Sequence, residues 1–563
     1  MRNGLLHPAG ALAVASQQPS APPAKTSRRS GNYHRSIWSH SLITESMRST
    51  YSETRFLMRL EELKAEARLL LRRCQTPLAL LRTIDSMERL GVAYHFQEEI
   101  KRALDHYYES CYSSAGSCEE VALGFRLLRQ HGYRVSSELL HCGFKDLTVD
   151  PKNISTQEIR SLLELYEASH LAICGESNVR EIKDLVSTHL KSLVGYVEGN
   201  LAQQVQHSLE MPFHWMMPRL EARRYIDVYP GKQDRDPVLF ELAKLDFNIV
   251  QAFHQRELRE LSRWWTGLGL IESLPFSRDR LVENYLWAVG IAFEPQFSNV
   301  RVWLTKLICI LTVIDDIYDV YGTFDELELF TNAVESWKPE AIEMLPEYMK
   351  PCFLALHSLV NETAREISRI QGWDAIPFIR KEWQRLCKGY FLEAQWFNNC
   401  YKFTLTEYLE NAWITVGGPI AMVHTYLLRT TPIPHELADC LGSNQCLKLI
   451  SLSSLIARIS DDLGTSKAEM ERGDILKTLE CFMEDSGESE DNSREHIRGL
   501  VSELWMELNE ECHKNKELPQ DFICMVLNMS KAAQCVFQYG DGIGTSTGIT
   551  KDRIICLFVE GIE

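Results

Sequence analysis

The chain has 563 residues, 45% of them apolar, and a formal net charge of −17, enough for two or three units with sizeable cores. That acidic balance argues against a standing nucleic-acid binder, which would show a basic face or tail, so an anionic ligand must be held by a few arginines or by metal ions. Mean hydropathy is −0.20, and the most apolar run, Leu307–Ile314, lies between Lys306 and Asp315 and is too short to cross a bilayer.

Residues 1–27 are rich in Ala, Pro and Ser and carry Arg2 and Lys25, while the first acidic residue of the chain is Glu45. This is the composition of an organelle transit peptide, and equally that of a plain disordered tail. From about residue 45 onward the pattern is helical: Leu57, Leu60, Leu63, Ala67, Leu70 and Leu71 recur at i, i+3, i+4 spacing. Similar stripes run through 78–90, 119–131, 159–171 and 182–193. Turn residues punctuate them at Asp150-Pro151-Lys152-Asn153 and Tyr229-Pro230-Gly231-Lys232. Strand patterns are scarce. The expectation is an all-α protein with a domain boundary near residue 235. The stretch 484–494 (EDSGESEDNSR) has no apolar anchor and is expected to be an exposed loop of the second domain. The 16 cysteines never form C-x-x-C, which disfavours a zinc site. With no apolar h-region and cleavage site at the N-terminus, they read mostly as small buried hydrophobes in a reducing compartment.

The chemistry concentrates in two acidic clusters. The apolar helix at Leu307–Ile314 runs into Asp315-Asp316-Ile317-Tyr318-Asp319, where Asp315 and Asp319 at i, i+4 share a helix face. Three carboxylates so close repel one another, and a hard divalent cation, Mg²⁺ or Mn²⁺, would relieve them; a solvated acidic helix end explains a lone cluster equally well. A second cluster alters that balance: Asp461, Thr465 and Glu469 fall at i, i+4 and i+8, after the apolar run 452–459. Carboxylate, hydroxyl and carboxylate form a Mg²⁺ set that leaves positions for water and phosphate. Arg278, Arg280, Arg458 and Lys477 flank the two clusters where a phosphate would need them.

With these motifs the chain resembles a plant class I terpene synthase of the monoterpene type. The resemblance covers nearly everything after residue 27: Arg28-Arg29 followed by eight residues and Trp38, LELYEAS at 163–169, SRWW at 262–265, RDR at 278–280, DDIYDVYGT at 315–323 and DDLGTSKAEMERGD at 461–474. It implies an N-terminal α-barrel-like helical domain (28–235, with a capping N-terminal strand) and a C-terminal catalytic α-helical bundle (236–563) holding three Mg²⁺ or Mn²⁺. It further implies that Asp315 and Asp319 bind two metals with Asp316 behind them, that Asp461, Thr465 and Glu469 bind the third, and that Arg278, Arg458 and Lys477 hold the diphosphate, with Arg280 of the same RDR segment beside them. Trp287 would line the hydrocarbon pocket, and Arg28 and Arg29 would cap the closed site and take part in the isomerisation leading to rings. Tyr539 heads a glycine-rich stretch, 539–544, that resembles the family's mobile active-site loop, and is a candidate catalytic residue. Two departures stand out: Ile543 where many relatives have His or Tyr, and Arg35 where the pattern often has proline.

The activity implied is ionisation of geranyl diphosphate to a carbocation, giving a cyclic monoterpene in a plastid. Val416-Gly417-Gly418-Pro419 is expected to interrupt a helical run, either turning its freed carbonyls towards the cation or serving equally as a simple loop between helices, and Ile308, two turns before Asp315, points towards a hydrocarbon product. The alternatives are a cytosolic sesquiterpene synthase acting on farnesyl diphosphate, a producer of a monoterpene alcohol or bornyl diphosphate, and a non-catalytic helical scaffold. A chain-elongating prenyltransferase would carry two D-D-x-x-D clusters, and a protonation-initiated cyclase a D-x-D-D. No nucleic acid and no membrane span are expected as partners, and the family resemblance implies a monomer.

Overall fold

Among the described residues there is no β-strand, the N-terminal strand at 28–39 being a segment without regular secondary structure, and the apolar stripes become helices. The computed structural model describes residues 28–112, 116–145, 154–232, 234–433, 439–472, 475–544 and 547–563. The leader at 1–27 and the turn at 150–153 lie outside them. The five stripes read from sequence correspond to Thr54–Arg73, Pro77–Arg89, Cys118–Gln130, Thr156–Ser169 and Ser177–Leu193. Local chemistry sets their starts: Ser117 and Ser155 accept backbone N–H groups at their helix N-termini, and Ser155 forms a capping box with Glu158. In the first stripe Leu60, Leu63, Ala67 and Leu71 are buried, but Leu57 is 39% exposed, because the buried face turns away from it at the helix start.

The helix Pro237–Leu268 is the long element of the molecule. Asp236 caps it, with Oδ1 accepting from Val238 N at 2.8 Å and Leu239 N at 3.1 Å, Pro237 needs no amide partner, and Gly269 at φ 61° ends it. It packs against Thr54–Arg73 as well as Leu281–Ile291 and Ser298–Asp316. Two acidic stretches behave differently from a sequence reading. The supposed loop 484–494 is mostly helix: Thr478–Ser486 ends at Gly487 (φ 71°), and Glu490–Lys514 starts again after Ser489. Two of its acids, Glu490 and Asp491, sit in the first turn of that helix, where they complement the macrodipole, and most of the buried face (Ile497, Val501, Leu504, Leu508) begins only later. The stretch is exposed, as expected, but ordered as helix. The apolar segment around Ser298–Asp316 is also longer than eight residues: Pro295–Tyr321 is long and apolar enough by composition to cross a membrane. It is instead a core helix, 56% buried over its most apolar window and packed against Leu281–Ile291, Met349–Gln371 and Gly418–Leu427. Of the described cysteines, six are buried, but Cys174, Cys400 and Cys524 are exposed, and none is in a disulfide.

Charge is buried in the N-terminal half. Arg126, fully buried, donates to Asp85 at 2.5 Å and to Glu164 at 3.3 Å; Arg89 reaches Asp85 at 3.0 Å and Glu221 at 3.3 Å; Glu221 also accepts from Arg224 at 3.0 Å and pairs with His207 at 3.0 Å.

Candidate active site

One cavity of the C-terminal half collects both acidic clusters. Asp315 and Asp319 line it from the end of Ser298–Asp316 and the turn that follows; Asp461, Thr465 and Glu469 line it from Asn444–Arg472. The first pair does not sit on a plain α-helix. The helix passes at Ile317–Tyr321 into a π turn, closed by Gly322 N donating to Ile317 O at 2.8 Å, and such widened turns cluster at functional sites. A side chain at position 322 would put its Cβ 2.8 Å from that carbonyl, so glycine is required there. Asp316 turns away from the cavity. It is 1% exposed and accepts from Ser277 Oγ at 2.9 Å, Arg278 N at 2.7 Å and Arg278 Nε at 2.9 Å. The same guanidinium reaches Asp315 through Nη2 at 2.5 Å. Burial works against the charge of Arg278, but Asp316, with Tyr33 and Asp315, outweighs it and holds the group well above its ordinary value.

On the second cluster, Arg458 Nη1 lies 3.1 Å from both Asp461 Oδ2 and Asp462 Oδ1. Burial nevertheless pushes Asp461 up to about 7, with Asp462 and Asp541 adding to the rise against Arg458. Burial likewise pushes Glu469 up to about 8 against the pull of Lys477. Lys477 is buried, yet Glu469, Asp319 and Glu393 keep its ammonium charged. Thr465 Oγ1 donates to the Asp461 carbonyl at 2.9 Å, which leaves its lone pairs for a ligand. Carboxylates with raised pKa values, hydroxyl oxygen and no soft donor form a set suited to a hard divalent cation. Among the described residues no three Asp, Glu, His or Cys side chains close on one point as a ready-made cage.

Much of the remaining wall is apolar, with Asn284, Thr312 and Thr415 as neutral polar exceptions. Trp287, Ile308, Leu311, Met529, Phe537 and Ile543 line it, and the Trp287 and Phe537 rings stand 6.1 Å apart at 58°. The expected helix break is present: Leu405–Thr415 stops, Gly417 adopts φ 78°, and Gly418–Leu427 resumes. A Cβ on Gly417 would meet Leu311 at 2.6 Å, so glycine lets this segment press against the cavity helix.

Four of the expected site residues lie outside the main cavity lining. Arg280 does not face the cavity: it is 1% exposed and donates to the carbonyls of Ile543 at 2.9 Å, Gly544 at 2.7 Å and His34 at 3.1 Å, stapling the C-terminal glycine-rich loop to the N-terminal strand. Tyr539 is 60% exposed and its ring faces Arg553 at 5.8 Å, because Phe537, two residues earlier, takes the cavity side. Arg28 and Arg29 lie outside the main cavity, in an adjoining recess that shares Asp319, Glu393 and Lys477 with it. Arg28 grips Glu326 at 2.7 and 2.8 Å, with its guanidinium 4.6 Å from the Tyr321 ring, and Arg29 donates to the Asp319 carbonyl at 3.0 Å.

Sequence reasoning missed Glu393, which lines the cavity from Ile376–Asn398 and accepts from Asn411 at 3.0 Å and Thr415 at 2.7 Å. Its signal was an acid on an apolar stripe, continuing Trp383, Leu386 and Tyr390. Asp541 and Tyr33 also line the cavity, the latter from the N-terminal strand, with Arg278 5.1 Å from its ring.

Comparison with known proteins adds the following. Residues 266–507 match the metal binding domain of the terpene synthase family, and residues 37–209 match the terpene synthase N-terminal domain. The chain is 54% identical to the chloroplastic trans-ocimene synthase of Litsea cubeba, over 95% of this chain and 91% of the relative. It is 45% identical to the chloroplastic myrcene synthase of Quercus ilex, over 100% of this chain and 94% of the relative. Among solved structures, limonene synthase with 2-fluorolinalyl diphosphate matches at a TM-score of 0.90 and 36% identity, covering 95% of this chain and 100% of that one. Isoprene synthase from grey poplar leaves, in complex with three Mg²⁺ ions and dimethylallyl-S-thiolodiphosphate, matches at 0.84 and 36%, covering 94% and 99%.

Proposed function

The chain belongs to the terpene synthase family, and from that premise we propose that it is a monoterpene synthase that takes geranyl diphosphate, with Mg²⁺, to inorganic diphosphate and a ten-carbon hydrocarbon. The observation that carries this reading is one cavity that brings acids, arginines and a lysine together with a largely aromatic and aliphatic wall. We divide the chain near residue 235, just ahead of the Pro237–Leu268 helix, into an N-terminal unit and a catalytic unit.

In this reading Asp315 and Asp319 hold one part of the metal set and Asp461, Thr465 and Glu469 the other, with Asp316 fixing Arg278 from behind. Bound Mg²⁺ supplies the positive charge that stabilises a departing diphosphate. Arg278, Arg458 and Lys477 grip that anion, so the C1–O bond breaks with its electron pair on the diphosphate and an allylic cation left in the cavity. The π faces of Trp287 and Phe537 favour the cation, and Ile308, Leu311 and Met529 offer water nothing to bind, so the cation ends by giving a C–H proton to the diphosphate released in the first step, the C–H electron pair becoming the new double bond. The N-terminal strand, held by Arg28 on Glu326 and Arg29 on the Asp319 carbonyl, covers the diphosphate end. A plastid location is supported by chloroplastic relatives and by the composition of residues 1–27.

The test is incubation of the chain with Mg²⁺ and either geranyl or farnesyl diphosphate, followed by gas chromatography–mass spectrometry. Ten-carbon hydrocarbons from geranyl diphosphate are expected. Turnover of farnesyl diphosphate alone would replace the substrate, and ten-carbon alcohols would overturn the exclusion of water.

A further inference from the structure

Asp462 stands immediately behind the cavity. It is fully buried and is not among the cavity-lining side chains, yet four donors converge on it. Tyr408 Oη donates to Oδ2 at 2.9 Å, Thr478 Oγ1 at 2.6 Å and Thr478 N at 3.2 Å, while Arg458 Nη1 reaches Oδ1 at 3.1 Å. These donors come from three helices: Leu405–Thr415, Asn444–Arg472, and the first residue of Thr478–Ser486. A buried carboxylate is expensive unless fully paired, and an apolar residue in its place would often serve stability as well. The retained charge therefore calls for a role beyond stability.

Connectivity indicates that role. Thr478 directly follows Lys477, which lines the cavity, and Arg458 Nη1 touches Asp462 and the cavity-lining Asp461 at the same 3.1 Å. An unbroken path thus runs from Asp461 through its ion pair with Arg458, through the hydrogen bonds of Asp462 to Arg458 and Thr478, and along the chain to the backbone of Lys477. The lysine itself belongs to a different element from Asp461, and its amide is tied only locally, to Glu480 at 3.2 Å. We propose that Asp462, with Thr478 and Tyr408, is a positioning unit that fixes Lys477 relative to the helix bearing Asp461, Thr465 and Glu469, so that the diphosphate-binding lysine and that helix are held in one geometry. None of the three touches substrate. The inference rests on the reading above that Lys477 and Asp461 share a diphosphate site. A displacement of the lysine of about 1 Å is enough to cost such a site heavily.

The experiment measures the affinity for inorganic diphosphate in the presence of Mg²⁺ by calorimetry, together with KM for geranyl diphosphate and the melting temperature, on the full chain. Thr478→Val keeps the shape and removes the hydroxyl donor; it should weaken diphosphate binding about tenfold and raise KM by a similar factor. Thr478→Ser, which restores the donor, should bind within about twofold of the parent, and Tyr408→Phe, acting on the same carboxylate from another helix, should lose about threefold. In a Lys477→Met background Thr478→Val should have no further effect on diphosphate affinity, because the lysine through which it acts is gone. The proposal is overturned if Thr478→Val binds like the parent, if valine and serine weaken binding alike, or if valine costs the same factor with and without Lys477. Should Thr478→Val not fold, a Tyr408→Phe variant with parental affinity has the same force. A parent that binds no diphosphate with Mg²⁺ would instead remove the site reading beneath the proposal.

Discussion

In the N-terminal half, Asp85 is met by Arg89 and Arg126, and Glu221 by Arg89, Arg224 and His207. Burial there opposes ionisation, yet the cations win: Asp85 is held far below the carboxylate range and Glu221 is brought down to about 2. Glu164 alone of that group is raised, burial outweighing its share of Arg126. In the C-terminal cavity the same forces give the opposite result, with Asp461 at about 7 and Glu469 at about 8. Six carboxylates, Asp315, Asp319, Glu393, Asp461, Glu469 and Asp541, line a cavity that offers three cations, Arg278, Arg458 and Lys477. A buried ionic network built for structure closes on itself, whereas one built for a ligand is left short of positive charge.

Breaking each network separately should give opposite phenotypes. Asp315→Ala or Asp461→Ala should lower turnover on the order of 10³-fold or more while helical circular dichroism and melting stay nearly unchanged, since Arg278 keeps Asp316 and Arg458 keeps Asp462 as a partner when either acid is removed. Glu221→Gln should do the reverse, costing about 3 kcal/mol of stability measured by urea unfolding, with turnover of the folded protein kept. The pH dependence follows from the depressed carboxyl. The Glu221 contribution is complete above its ordinary value of 4.5 and lost as pH falls towards about 2, so parent and variant should converge there. Trp287→Ala should lower kcat about 10²-fold but leave inorganic diphosphate affinity within about twofold, separating the apolar end of the cavity from its charged end. Tyr539→Phe sharpens the comparison from outside both networks, and should change neither turnover nor stability by more than about 0.5 kcal/mol.

The sequence disclosed what depends on local spacing. Leu60, Leu63, Ala67 and Leu71 declare a buried helix face, and Asp461, Thr465 and Glu469 a stripe of oxygens, because both patterns are set by the helix pitch. It could not disclose which partner a side chain meets across space. Arg278 and Arg280 flank one aspartate, yet the first reaches Asp315 and Asp316 and the second the carbonyls of the C-terminal loop. Glu393 has no acidic neighbour to announce it, and joins the cavity only because Asn411 and Thr415 on another helix hold it there. The stretch 484–494 differs from its reading for a related reason: composition suggests a loop, but Ser489 caps a new helix there and the first-turn position of Glu490 and Asp491 makes those two charges favourable.

The contrast between the two buried networks is tested most directly by following thermal unfolding with Mg²⁺ and inorganic diphosphate, added singly and together, to the parent, Asp461→Ala and Glu221→Gln. The parent should gain several degrees only with both present, Glu221→Gln should start lower and gain the same amount, and Asp461→Ala should gain nothing. A gain that survives in Asp461→Ala, or that disappears in Glu221→Gln, would contradict the assignment of the uncompensated cavity carboxylates to the metal and diphosphate.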